Sequence, residues 1–409
     1  MLVSKNLPKW LISDEIIILA YGNQTIETEK FSVSKALFAI GILVSIIPLF
    51  IICNIKILIY KARFRSETTH FSSAELLIGN DHETDEFYAL NILKESKNSF
   101  DQMNQFAINN YLNKNINIFY YQKIIFSSCV DLLKISKIKK NKIKVDALSS
   151  SIKNICFYVI YRAFFSYYKS VGLQRIHLIS MPLMLMAAME EEHMPCSVYL
   201  HGLSVRIPQQ SFPLIDTLFL IAEDEKNYFS TLMPEHRIKL YELNPLFEYK
   251  NKAVLLLRQT LNFSEATLDL MNIDEIHALS SFLKKIKIDL YFKIHPKTDE
   301  DKIEDLIKIL EIDESKLIKS RAPISDNIMV IQPKFIFGWF SSGLAESLSL
   351  NIIPVMINPI TTSKKIQTRS TFDYKNRCLN FKTDQELLKS CTKNNDEYKK
   401  TLNRLKNNA

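Results

Sequence analysis

Short runs of β-forming, apolar residues recur along this chain, each followed by a stretch of helix length. That alternation most limits the folds open to it. Strands that alternate with helices pair in parallel, and their connecting helices cover the sheet. In the first half the strand pattern falls on Ala74–Gly79, Arg175–Ser180, Cys196–Leu200 and Asp216–Ile221, with helices over Leu183–Glu192 and Glu223–Leu232. Residues 84–170 read as helices rich in Asn, Lys and aromatics. After a break at Asn244-Pro245 the pattern restarts. Strands are predicted over Ala253–Leu257, Ile288–Ile294, Lys334–Phe337 and Ile352–Ile357. Helices are predicted over Asp274–Ile286, Asp301–Leu310 and Ser342–Leu350, with a short helix and turn across Asn327–Pro333. The expected division is an N-terminal segment (1–70), two Rossmann-type domains (71–247 and 248–375) and a tail (376–409) of one or two surface helices.

Length and charge agree with this division. A chain of 409 residues has room for two α/β domains and an additional segment. Its net charge of +8 is modest for that length and its basic residues are scattered, so nucleic acid is not an expected partner. The one dense run (Lys134, Lys137, Lys139, Lys140, Lys142, Lys144) reads as a solvated face, with contact to anionic lipid or polymer as the alternative. None of the six cysteines forms a CxxC pair, which argues against a zinc site or a disulfide framework.

Chemistry concentrates where strands end. Val198-Tyr199-Leu200-His201-Gly202 and Tyr291-Phe292-Lys293-Ile294-His295-Pro296-Lys297 each carry a histidine at the C-terminal lip of a strand, where open α/β sheets bind ligands. Proline fixes the chain direction after His295, whose imidazole suits hydrogen bonding or proton donation to a phosphate, with Lys293 and Lys297 adding positive potential. A neutral His201 suits a general base for an alcohol, and Arg206 in the following polar loop suits an anionic group. The third segment, Phe335 to Gly343, ends in Ser341-Ser342-Gly343 at a helix start, and then runs into Glu346. A plain N-cap explains the serines, but the same geometry offers hydroxyls and N–H groups to a phosphate. Glu346, one turn on, suits ribose hydroxyls or a solvated helix face. Asp299-Glu300-Asp301 has the spacing of a metal-binding pair, but it lies at a helix start that favours acidic residues anyway, so no obligatory metal is expected.

Residues Ala36–Cys53 form an uncharged stretch of spanning length, and apolar character continues to Tyr60. Basic residues follow it (Lys56, Lys61, Arg63, Arg65), which favours a cytoplasmic C-terminal side. The stretch reads as a membrane span or interfacial anchor. A buried core helix or monotopic hairpin is the alternative, supported by Pro48 and by a strand-like Glu15–Ala20.

The order His201-Gly202, His295-Pro296, Ser341-Ser342 resembles the GT-B glycosyltransferases of bacterial surface polysaccharides across about residues 170–360. One similar group is the sialyltransferases and polysialyltransferases, and another is the CDP-glycerol polymerases of teichoic acid. His201-Gly202 matches the polymerases, where the sialyltransferases carry an acidic pair. The resemblance implies two Rossmann-type domains facing a cleft. It implies a sugar donated from a nucleotide-activated, CMP-linked donor to a glycan or lipid-linked acceptor, with inversion and no obligatory cofactor. His201 would be the base and His295 the group that assists departure of the phosphate. Pro296, Lys297, Ser341, Ser342, Gly343 and Glu346 would lie at the donor, and Gly202 and Arg206 at the acceptor. The implied setting is capsule or lipopolysaccharide synthesis at the cytoplasmic face of the inner membrane, with membrane lipid as partner. Three alternatives stand beside it: a CDP-glycerol-type polyol-phosphate transferase, a UDP-sugar 2-epimerase, and a non-catalytic assembly protein on the same scaffold.

Overall fold

The computed structural model describes residues 32–34, 50–59, 71–79, 83–96, 99–104, 118–131, 142–144, 146–180, 183–200, 215–257, 273–296, 298–339, 341–357, 371–381 and 395–407, with isolated positions at 40, 44, 47, 48, 108 and 387. In chain order the first elements are β1 (Ser32–Ser34), α1 (50–59), β2 (Glu75–Gly79), α2 (Glu83–Glu95), β3 (Asp101–Asn104), α3 (Ile118–Asp131), β4 (Lys142–Lys144) and α4 (Asp146–Ser170). They continue as β5 (Arg175–Leu178), α5 (Leu183–Glu191), β6 (Cys196–Tyr199), β7 (Ile215–Leu220), α6 (Glu223–Phe229) and β8 (Ile238–Leu240). A six-stranded sheet takes the order β3-β2-β5-β6-β7-β8, with β2 parallel to β3 and β5, and β5 parallel to β6. β1 and β4 form a separate antiparallel pair.

The remaining elements are β9 (Lys250–Leu256), α7 (Ile273–Lys285), β10 (Asp289–Lys293), α8 (Glu300–Ile309), β11 (Leu317–Ile318), α9 (Ile324–Ile331), β12 (Pro333–Gly338), α10 (Ser342–Ser349), β13 (Ile353–Met356), α11 (Tyr374–Arg377), β14 (Leu379–Asn380) and α12 (Asn395–Asn407). Their sheet runs β11-β10-β9-β12-β13-β14, parallel throughout. Numbered from β9, that is the order 3-2-1-4-5-6 of a doubly wound fold, whose switch point lies between β9 and β12. All six residues of β12 are buried, as a central parallel strand covered on both faces requires. Pro333, which cannot donate to the ladder, is its first residue.

The described residues separate into two compact units. One holds those up to residue 79, those of 96–199 and those of 215–218. The other holds α2, Leu200 and those from Phe219 onward. The two Rossmann-like parallel sheets expected from the alternation are both present. The region 84–170, read as helical, also contains β3 and β4. Most of 36–49, and the strand pattern at 15–20, lie outside the described residues. Among the described residues no helix is long and apolar enough to cross a membrane.

The C-terminal tail contains the expected helix. α12 exposes its polar face and is anchored by the other: Tyr398, Leu402 and Leu405 are buried in the core of the second unit, at i, i+4 and i+7 along an otherwise polar sequence. Tyr398 Oη donates to the Lys334 carbonyl at 2.8 Å. Arg377 locks the tail in place. Its guanidinium holds the Asp224 carboxylate through Nε (3.0 Å) and Nη2, and donates through Nη1 to the carbonyls of Leu405 (3.0 Å) and Lys406. Both partners are buried, so removing one strands the other charge. Arg377→Ala should destabilise the protein by about 3 kcal/mol in urea unfolding. In a double-mutant cycle with Asp224→Ala the two losses should be far from additive.

Candidate functional site

In the second unit β10 and β12 flank β9, so the segments that follow them leave the same edge of the sheet on either side of one strand. Two interstrand spacings separate the ends of β10 and β12, about 10 Å. His295 leaves β10 two residues after Lys293, and Ser341 leaves β12 three residues after Gly338. The sheet therefore brings His295-Pro296 and Ser341-Ser342-Gly343 to one edge, beside the switch point. His295 and Pro296 are half-buried, and the His295 carbonyl closes a turn by accepting from Thr298 N at 2.9 Å. Lys297 lies outside the described residues. A cavity of about 490 Å³ opens beside Ile294, lined by α8 and by Lys319 and Arg321.

Ser341 is the N-cap of α10. Its backbone is extended (φ −150°, ψ 140°) and its Oγ accepts from Gly343 N at 3.2 Å. Its carbonyl accepts from Tyr374 Oη at 3.1 Å, so the turn is held from two sides. Gly343 packs closely: a Cβ there would lie 2.6 Å from Leu256 Cδ1 at the end of β9, and that side chain would have to shift. The N-terminus of α10 is thus pressed against the switch-point strand. Ser342, the first helical residue, is half-buried.

Glu346 is 1% exposed. One carboxylate oxygen, Oε1, accepts from Tyr88 Oη of α2 at 2.6 Å and from the Ser325 backbone N–H at the start of α9 at 2.8 Å. Tyr88 Oη also lies 2.8 Å from Ser325 Oγ, and its ring stacks on Tyr241 at 4.6 Å. Burial and the neighbouring Glu346 charge hold the Tyr88 phenol protonated, well above the usual tyrosine range. Lys293, inside the His-Pro strand, is buried and donates to the Ser320 carbonyl at 2.7 Å. Burial pulls its ammonium down from 10.5 to about 8, with the charges of Glu346 and Asp326 opposing.

The sequence marks Lys293 only as a flank of His295 and does not single out Tyr88, Ser325 or Thr298. Thr298 is buried, and among the described residues its Oγ1 has no hydrogen-bond partner. A lysine at the end of a strand otherwise apolar on its buried face was the available signal for Lys293. Tyr88 lies more than two hundred residues from Glu346, and no local pattern joins them.

The other expected residues, His201, Gly202 and Arg206, lie outside the described residues. The strand before them, β6, ends in Tyr199, whose Oη is 3.2 Å from His177 Nδ1. His177 Nε2 is 3.0 Å from Glu75 Oε2. Burial lowers the His177 pKa, while Glu75 pulls it back up. Among the described residues no cluster of His, Cys, Asp or Glu has the form of a metal site.

Two outcomes follow. Tyr88→Phe removes a charge-assisted bond to a buried carboxylate and should cost about 2 kcal/mol in urea unfolding. Lys293 has a lowered folded-state pKa, so between about pH 8 and 10.5 the unfolded chain binds more protons and stability rises with pH. Comparing unfolding free energies of wild type and Lys293→Met, the wild type should gain on the variant by about 1.4 kcal/mol per pH unit within that window.

The polysialyltransferase resemblance read from the motifs has a counterpart in the comparisons. The family model described as alpha-2,8-polysialyltransferase matches residues 189–357, about two-fifths of the chain, and that span contains all three motif segments. A search of the curated proteins found no match. Similar solved structures include the glycosyltransferase SnogD from Streptomyces nogalater, with 9% identity, 82% of this chain and 94% of that chain covered, and a TM-score of 0.44. The wall teichoic acid polymerase TagF, solved with CDPG, has 11% identity, coverage of 90% and 91%, and a TM-score of 0.41. UDP-GlcNAc 2-epimerase from Neisseria meningitidis, bound to UDP-GlcNAc, has 12% identity, coverage of 80% and 94%, and a TM-score of 0.40. Over residues 189–357 the chain is similar to the polysialyltransferases, and the strand order places its second unit among doubly wound folds.

Proposed function

We propose that this protein is a nucleotide-sugar-dependent glycosyltransferase of surface polysaccharide synthesis, with the second unit binding the donor. The observation that carries this reading is the arrival of His295-Pro296 and the N-terminus of α10 at one sheet edge, on either side of the switch-point strand. Anionic groups bind at helix N-termini and at such switch points. The family match over the same span supports transfer of a sugar.

In this reading the donor is CMP-linked. Ser342 and the first N–H groups of α10 hold its phosphate, with Ser341 shaping the turn as cap. His295 donates a hydrogen bond or proton to the departing phosphate oxygen, and Lys293, protonated below about pH 8, adds positive potential from beneath. His201 accepts the proton of the acceptor hydroxyl. The hydroxyl oxygen forms the new glycosidic bond as the bond to the phosphate breaks, with inversion at the sugar carbon. Arg206 and Gly202 lie on the acceptor side. By its place one turn into the helix, Glu346 suits ribose hydroxyls. With its Oε1 bonded to Tyr88 and Ser325, we assign it instead to positioning: it fixes α10 against α2 and α9. The residues require no metal for this chemistry.

A thermal-shift screen of the purified protein against CMP, CDP, UDP, GDP and their sugar conjugates tests the donor class. Stabilisation by CMP and a CMP-sugar is expected, and it should be lost in His295→Ala while the unliganded melting temperature stays unchanged. Stabilisation by CDP-glycerol alone would transfer the assignment to a polyol-phosphate transferase. Stabilisation by UDP-GlcNAc alone would favour an epimerase, and a folded protein that answers to no nucleotide would be a non-catalytic scaffold.

A further inference from the structure

The first unit carries an apolar surface that the transfer reaction does not use. α1 turns one face inward. Phe50, Cys53, Asn54 and Ile57 recur at helical spacing, and of these Cys53 and Ile57 are fully buried. Asn54 Oδ1 accepts from Gln122 Nε2 of α3, Phe50 meets Phe126 edge-to-face at 6.3 Å, and the Cys53 thiol lies against Cys129 of α3 and Cys156 of α4. The helix is therefore docked sideways on the protein. The opposite face is bare. Ile51, Ile55 and Leu58, spaced 4 and 3 residues apart, are each half exposed, and Val44 and Ile47, ahead of the helix in the sequence, are exposed as well. Phe126 (56%) and Val130 (37%) extend the apolar surface onto α3.

A patch of this kind marks a binding surface. Its charges identify the partner. Between residues 40 and 60 the only charged side chain is Lys56, and α3 carries Lys123 and, as its last residue, Asp131. Lys56 and Lys123 are exposed. Basic residues follow each helix in the sequence: Lys61, Arg63 and Arg65 after the first, and the six-lysine run from 134 to 144 after the second. An apolar stripe with two exposed lysines and one acidic residue, Asp131, followed in the sequence by basic runs, suits an anionic lipid surface. It suits a second copy of the chain poorly, because a two-fold interface places the same patch against itself and so brings like charges together.

We propose that α1 and α3 form an in-plane docking face for an anionic membrane surface, with the apolar stripe entering the acyl boundary and Lys56 and Lys123 meeting lipid phosphates. α1 lies along the membrane instead of crossing it, because its other face is occupied by α3 and α4.

The test is co-sedimentation of the full chain, without nucleotide, with vesicles of phosphatidylcholine alone and of equal phosphatidylcholine and phosphatidylglycerol. Binding only to the mixed vesicles is expected, with release by sodium carbonate. Ile55→Glu with Phe126→Glu should abolish binding. Lys56→Gln with Lys123→Gln, both at exposed sites, should weaken it about fivefold per lysine removed. Transfer to a soluble acceptor in detergent, or nucleotide thermal shift, should be unchanged in all variants, so failure of the donor reading and failure of this one are told apart. Absence of vesicle binding, equal binding by the variants, resistance to carbonate, or a dimer in light scattering that Ile55→Glu dissociates would each overturn the proposal.

Discussion

The second unit depends on a buried carboxylate. Glu346 sits on the helix that starts at the Ser-Ser-Gly turn, and its Oε1 gathers the Tyr88 hydroxyl and the Ser325 N–H in the first turn of α9. A carboxylate in an apolar interior is expensive unless donors surround it. Here the donors come from two other helices, so satisfying the charge also fixes where α10, α9 and α2 sit. Lys293 contributes at longer range: the charge of Glu346 favours its ammonium while burial opposes it.

The sheet supplies the other half of the positioning. In a parallel sheet all strands leave at one edge, and the order 3-2-1-4-5-6 opens a crevice where the connections diverge. β9 ends in that crevice, with Leu256 packed so closely on α10 that residue 343 tolerates no Cβ without movement. Helix N-terminus and histidine turn are thereby held by covalent and packing constraints before any ligand arrives. Such preorganisation is what electrostatic catalysis at a phosphate demands.

Much of this was legible in the chain. β9, β10, β12 and β13 fall where apolar β-forming runs stand between helix-length stretches, because a strand buried on both faces tolerates little else. His295-Pro296 and Ser341-Ser342-Gly343 announced themselves by a backbone punctuator directly after such a run. β3 escaped notice because Asp101-Gln102-Met103-Asn104 is polar and buries little beyond Met103. The helix of the tail was legible, but the buried face of α12 was not, because its core residues are diluted among Lys, Asn and Glu. Lys293 reads in the sequence as a flank of His295 that adds positive potential, and its burial follows from pairing on both sides by β9 and β11.

The sequence by itself determined the two alternating α/β halves, the residues at the strand ends and the chemistry those residues can perform, since periodicity, turn residues and side-chain type are local properties. Only the tertiary structure decided that Glu346 faces Tyr88, that Arg377 anchors the tail to Asp224, and that one face of α1 is covered while the other is bare. Each of these joins segments far apart in the chain, and such contacts are selected by the burial and hydrogen-bond satisfaction of the whole unit, which no local pattern encodes.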